Sequence, residues 1–157
     1  MAYDKKTFLK RVTVLVDTRE QKNQHILSAF DQLHVKYQDT KLDYGDYSFS
    51  VDGKDFSLSC VVERKGSADE FYSNITQDRQ RIEKEFYAAS SMGTDFTLLV
   101  EGCESMEALR GVEVPEWELA RLHRKEKEIG KICYSTIYSW MCGNRYQFHP
   151  VFILDSR

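Results

Sequence analysis

The chain has 157 residues, 41% of them hydrophobic, and a formal net charge of -3, enough for one domain with a full core. The weakly acidic balance excludes a globally basic nucleic-acid-binding surface, so any nucleic-acid function must rest on a local site. With no apolar stretch of signal-peptide or membrane-spanning length, the expectation is a cytoplasmic protein that is neither secreted nor inserted in a membrane.

In chain order, a polar lead-in precedes the β-branched run Val12 to Val16, which reads as a buried strand ending at Asp17. Ligands collect at the carboxyl ends of strands in open α/β sheets, so Asp17-Thr18-Arg19-Glu20 is a candidate site edge. The alternative is that Asp17 or Thr18 opens a loop or caps the next helix. Ile26, Leu27, Phe30 and Leu33 fall at helical spacing between Asn23 and Leu33. His25 and His34 stand isolated and read as surface or helix-end residues, not ligands.

Val35 to Leu42 partly alternates and suggests a strand, which Gly45-Asp46 breaks. Tyr47, Phe49 and Val51 alternate with serines, Asp52-Gly53 supplies a two-residue hairpin signal, and Phe56, Leu58, Cys60 and Val62 continue on the return strand. Folding that hairpin brings Asp46 beside Glu63. Glu63 and Lys65 share a parity, so they point to one face while Arg64 points to the other. Two carboxylates and an amine then converge at one sheet edge. A charged strand end exposed to water is the plainer reading of Glu63-Arg64-Lys65; the apolar Val61-Val62 before it and the facing Gly-Asp favour chemistry.

Ser67 or Asp69 is expected to cap a long helix carrying Phe71, Ile75, Ile82, Phe86 and Ala89 on one side and ending at Gly93. Asp95 to Glu101 returns as a buried strand. Residues 103–131 carry charges of both signs and read either as a solvated helix held by i,i+4 pairs or as a substrate-facing arm, in which Trp117, Arg121 and Arg124 could meet a nucleic acid. Ile132 to Trp140 suits a sheet-covering helix, Gly143-Asn144 a stop signal and Phe148 to Leu154 a last strand. The four cysteines form no C-x-x-C pair and read as reduced thiols.

Paired carboxylates suit a hard divalent cation such as Mg²⁺, which keeps several waters and binds phosphate oxygens. Gly45-Asp46, a variable hairpin, Glu63-Arg64-Lys65, three residues and Asp69 resemble the signature of the XPF-type nuclease domains. These are structure-specific endonucleases of the PD-(D/E)XK restriction-endonuclease-like superfamily that cut flaps and forks. Val16-Asp17-Thr18-Arg19-Glu20 and the strand Leu98 to Gly102 add to the similarity, which runs from about 12 to 153 and is interrupted by the charged arm at 103–131.

The resemblance implies a single restriction-endonuclease-like α/β domain over 1–157, with a mixed sheet flanked by helices. It implies Asp17, Asp46 and Glu63 as ligands for Mg²⁺ (or Mn²⁺), Lys65 as catalytic lysine, and Arg19, Glu20, Arg64 and Asp69 as supporting residues. The implied partner is branched or structured DNA, with pairing into a homodimer or heterodimer through this domain, around the helix from Ile132 and the strand from Phe148. Cellular relatives usually append helix-hairpin-helix modules; without them here, a prokaryotic or viral setting is expected. Two other readings stay open: an inactive DNA-binding or scaffold subunit that pairs with an active nuclease, and an enzyme of another phosphate substrate, against which stands the lack of a glycine-rich phosphate loop.

Overall fold

The computed structural model describes residues 4–143 and 145–154. Its centre is a seven-stranded mixed sheet. The strands are β1 (Val12–Asp17), β2 (Lys36–Thr40), β3 (Tyr47–Val51), β4 (Lys54–Asp55), β5 (Cys60–Lys65), β6 (Asp95–Glu101) and β7 (His149–Ile153). The order across the sheet is β2-β1-β3-β5-β6-β7, with the short β4 paired to β3. β1 and β2 run parallel, as do β5, β6 and β7, whereas β3 is antiparallel to both of its principal neighbours. The expected restriction-endonuclease-like α/β architecture is the one observed.

The helices are α1 (Lys5–Leu9), α2 (Gln24–Gln32), α3 (Ala68–Gln77), α4 (Arg79–Met92), α5 (Met106–Arg110), α6 (Glu116–Leu122) and α7 (Ile129–Cys142). Phe71 of α3, Phe86 of α4 and Ile137 and Trp140 of α7 are fully buried with Val61, Phe96, Leu98 and Val100 of the sheet. Phe86 anchors this layer, its ring 4.7 Å from Phe96 and 5.1 Å from Trp140. Burial of each such side chain contributes on the order of 1.5–3 kcal/mol. The opposite sheet face is covered more thinly: Val14, Phe49, Val62 and Leu99 meet Phe8 and Phe30 around an apolar cavity of about 590 Å³.

Four details differ from the sequence-based expectations. The single long helix is two, because Asp78 leaves helical geometry (φ -133°) while its carbonyl accepts from Arg81 and Ile82 to start α4. Apolar spacing runs unbroken across that point, so periodicity cannot reveal it. The hairpin turns at Asp52 and Gly53, both with positive φ, but its return strand is interrupted between Asp55 and Cys60 by a turn in which Cys60 N–H donates to the Phe56 carbonyl. The polar lead-in contains α1. The charged stretch is neither one helix nor a free arm but α5, α6 and connecting coil, pinned where Gly130 of α7 packs on α5: a Cβ there would lie 2.1 Å from the Leu109 carbonyl oxygen. Of the proposed stop signal, Asn144 lies outside the described residues.

All four cysteines are free. Burial pushes the Cys133 thiol up to about 12, so it stays protonated. Among the described residues no helix is long and apolar enough to cross a membrane.

Candidate active site

The carboxyl end of β5 divides its side chains between two faces. Val61, Glu63 and Lys65 point toward α3 and α4, and Arg64 points to the α2 side. Gly45 makes the neighbouring turn possible: its φ is +75°, and a Cβ would sit 3.0 Å from Val61 Cβ. The following residue then docks tightly, with Asp46 N–H donating to the Val62 carbonyl at 2.8 Å and Arg64 N–H donating to Asp46 Oδ2 at 2.7 Å. The hairpin therefore brings Asp46 to Glu63, as its fold-back predicts.

Lys65 Nζ donates to Glu63 Oε1 at 2.6 Å, both side chains being almost wholly buried. Burial pushes Asp46 up to about 8, and the Glu63 carboxylate adds to the rise. Burial opposes the charge on Lys65, yet Glu63 and then Asp46 hold its pKa above the ordinary lysine value. These groups line a cleft of about 620 Å³ between the sheet edge, α3 and α4. Asn74 of α3 also lines it, and its Oδ1 is buried with no hydrogen-bond partner. Among the described residues no three His, Cys, Asp or Glu side chains gather as a ready-made metal site.

Asp17 lies in the same cleft, but its oxygens are already engaged. Oδ1 accepts from Arg19 N–H at 2.8 Å and Arg19 Nε at 2.7 Å; Oδ2 accepts from Leu42 N–H at 2.7 Å and Arg19 Nη2 at 3.1 Å. Burial would raise its pKa, but these donors hold it below the usual carboxylate range. Asp17 thus closes the loop after β1 and carries Arg19, whose side chain is 61% exposed, to the cleft wall.

On the other face Arg64 is a hub. It donates to Glu20 Oε1 at 2.7 Å and, through Nε and Nη2, to both oxygens of Glu101 at 3.0 and 3.1 Å. His25 Nε2 sits 3.1 Å from Glu101, and Tyr47 OH donates to Glu20 at 3.1 Å. His25 is therefore a member of a network, not the isolated helix residue its sequence neighbours suggest. Glu20 and Arg64 tie the β1–α2 loop to β5 and β6.

Ser67, not Asp69, caps α3, its Oγ accepting from Glu70 N–H at 3.1 Å. Asp69 pairs with Arg124 from the charged stretch, which also donates to Ser73 Oγ at 2.7 Å and lies 5.2 Å from the Tyr72 ring. Of the three candidate nucleic-acid contacts there, Arg124 is engaged with the domain, Arg121 pairs with Glu118, and Trp117 is 70% exposed. Sequence reasoning missed Glu85, which enters the cleft from α4 together with Arg81. Its one signal was helical spacing, since 78, 81 and 85 form a polar stripe along one side of α4.

A comparison with curated proteins found no match. The family model for the ERCC4 domain matches residues 16–138, which takes in every site residue above. That domain is a nuclease fold whose family acts on structured DNA. The chain belongs to the ERCC4 domain family, the XPF-type nuclease domains.

Proposed function

We propose that this chain is a divalent-cation-dependent endonuclease that hydrolyses phosphodiester bonds in branched or structured DNA. The observation that carries the reading is the Lys65–Glu63 pair at the end of β5, with Asp46 held beside it by the intervening Arg64 N–H, inside an open cleft. The donors fit a hard cation: they are carboxylate oxygens, and burial and Glu63 raise the Asp46 pKa, so a divalent ion would favour the ionised form of both. Asn74, whose Oδ1 is buried without a hydrogen-bond partner, lines the same cleft. Two carboxylates suffice for Mg²⁺ or Mn²⁺, because water and substrate phosphate complete the shell. Asp46 and Glu63 would hold the cation, and Asp17 could join only by releasing Arg19.

A bound cation supplies Lewis acidity and a more acidic water. The chain's own residues supply the rest. Lys65 keeps its proton, so its ammonium can orient the attacking water and offset charge growing on the phosphate. Glu63 fixes the Lys65 Nζ in place. Arg19, exposed at the cleft wall, is placed to meet a phosphate. Pairing of two chains belongs to the same reading, with the outer side of α7, where Tyr138 and Met141 are exposed, as its surface; a monomer in sedimentation equilibrium would remove that part.

The test is incubation with flap, fork and linear DNA in Mg²⁺. Wild-type protein cuts at least one branched form, and Asp46→Asn or Glu63→Gln lowers the rate by on the order of 10²-fold or more. Cleavage of no substrate, or cleavage indifferent to both changes, overturns the reading.

A further inference from the structure

Helix α4 brings to the cleft a carboxylate that the strand motif does not contain. Glu85 lines the same space as Asp46, Glu63 and Lys65, and burial and then the nearby Glu63 charge push its pKa up. Among the described residues its one charged hydrogen-bond donor is Arg81, one turn back, whose Nη1 lies 3.2 Å from Glu85 Oε1. Arg81 is shared, because its Nε also donates to Asp78 at 2.6 Å, and half of its side chain is exposed.

Glu83, two positions earlier on the same helix, is the natural comparison. Its Oε1 accepts from Arg79 Nε at 2.8 Å and Trp140 Nε1 at 3.2 Å, with Arg145 4.0 Å away. The two side chains are similarly exposed, 24% for Glu83 and 21% for Glu85. What separates them is their company. Glu83 is surrounded by donors, whereas Glu85 has one shared arginine and lines the cleft that also holds Glu63. Carboxylates that share a poorly solvated cleft repel unless positive charge offsets them, and Arg81, divided between Glu85 and Asp78, offsets this one only in part.

We propose that Glu85 is a positioning residue of the cation site, contributed by α4, which holds the water shell of a divalent ion carried by Asp46 and Glu63. The proposal rests on the reading of the cleft as a cation-dependent nuclease site. Glu85 acts from outside the ligand set, so Asp46 and Glu63 need no third carboxylate in direct contact. Partners of this outer kind steer the ligands and waters they touch, and losing one typically weakens metal affinity by about 10–100-fold.

The experiment is a Mn²⁺ titration of the full chain followed by electron paramagnetic resonance, without DNA, with thermal melting as a control for folding. Wild-type protein binds Mn²⁺, Glu63→Gln binds it least, and Glu85→Gln weakens binding by about 10–100-fold while the metal-free melting temperature holds or rises. Glu85→Asp, which keeps the charge one methylene shorter, recovers part of the affinity; it also decides the matter should Glu85→Gln fold poorly. Wild-type affinity in Glu85→Gln, with Glu63→Gln impaired, overturns the role of Glu85 and leaves the nuclease reading standing. Absence of Mn²⁺ binding by the wild-type chain overturns both.

Discussion

Two charge clusters sit back to back at the end of β5, one residue apart, and they are built on opposite principles. On the α2 face, Arg64 is enclosed by Glu20 and Glu101, with His25 and Tyr47 filling the remaining positions. Glu101 is buried, yet Arg64 and then His25 hold its pKa below the usual range. On the α4 face, Asp46, Glu63 and Glu85 line one cleft with Lys65, which pairs with Glu63, and burial together with Glu63 raises both Asp46 and Glu85. The first cluster is fully paired, whereas the second sets Asp46 and Glu63 beside a single ammonium. Alternation along one strand separates the two jobs by a single residue.

Removing the hub of the satisfied cluster should have the largest effect. Arg64→Ala leaves Glu20 and Glu101 buried without their partner, and urea unfolding should show a loss of about 3–5 kcal/mol. The matching change on the other face should spare the fold. Glu63→Gln can still accept from Lys65 and relieves repulsion with Asp46 and Glu85, so the metal-free melting temperature should hold or rise while DNA cleavage falls by about 10²–10³-fold. Similar stability losses from both substitutions would erase the distinction between the faces.

The two clusters also respond to pH with opposite sign. Glu101 has a lowered folded pKa, so its contribution is complete above its ordinary value of 4.5 and is lost as acid protonates it in the folded state. Asp46 is raised from 3.8 to about 8. Its unfolded form ionises first as pH climbs, so the folded state loses stability progressively between about pH 4 and pH 8. In the presence of a chelator the melting temperature should therefore decline toward pH 8, and Asp46→Asn should flatten that decline while leaving the acid side unchanged.

The smallest effect is expected at the edge of the cleft, where Arg124 anchors the charged stretch to Asp69. That pair is half exposed on the Asp69 side, so Arg124→Ala should cost about 1 kcal/mol or less. It should show more clearly in limited proteolysis, as faster cutting between residues 111 and 128. Unchanged cutting would mean that the packing of α5 on α7 holds the stretch alone.

Much of the scaffold was legible because its signals are local. The apolar run 12–16, the Asp52-Gly53 turn and the parity of Glu63, Arg64 and Lys65 each follow from strand geometry or turn preference. The break at Asp78 was not legible, since Ile75 and Ile82 keep helical spacing across it. Asp17 was singled out correctly as a strand-end residue of the cleft, but nothing in Asp-Thr-Arg-Glu reveals that Arg19 and the Leu42 N–H, 25 residues on, would take its oxygens. Arg124 read either as one charge of a helix held by i,i+4 pairs or as a nucleic-acid contact, and only packing shows it bound to Asp69.

The sequence by itself determined the strands, the hairpin that joins Asp46 to Glu63, and the division of Glu63 and Lys65 from Arg64, because these depend on period-two alternation and on residues near one another in the chain. Tertiary structure alone decided which charges are satisfied. Whether Arg64 meets Glu101, whether Asp17 is saturated, and whether Glu85 enters the cleft depend on how β6, the loop before β3 and α4 dock. Those contacts span distances along the chain over which no local pattern carries information, and they separate the fully paired charges behind β5 from the charges that line the cleft.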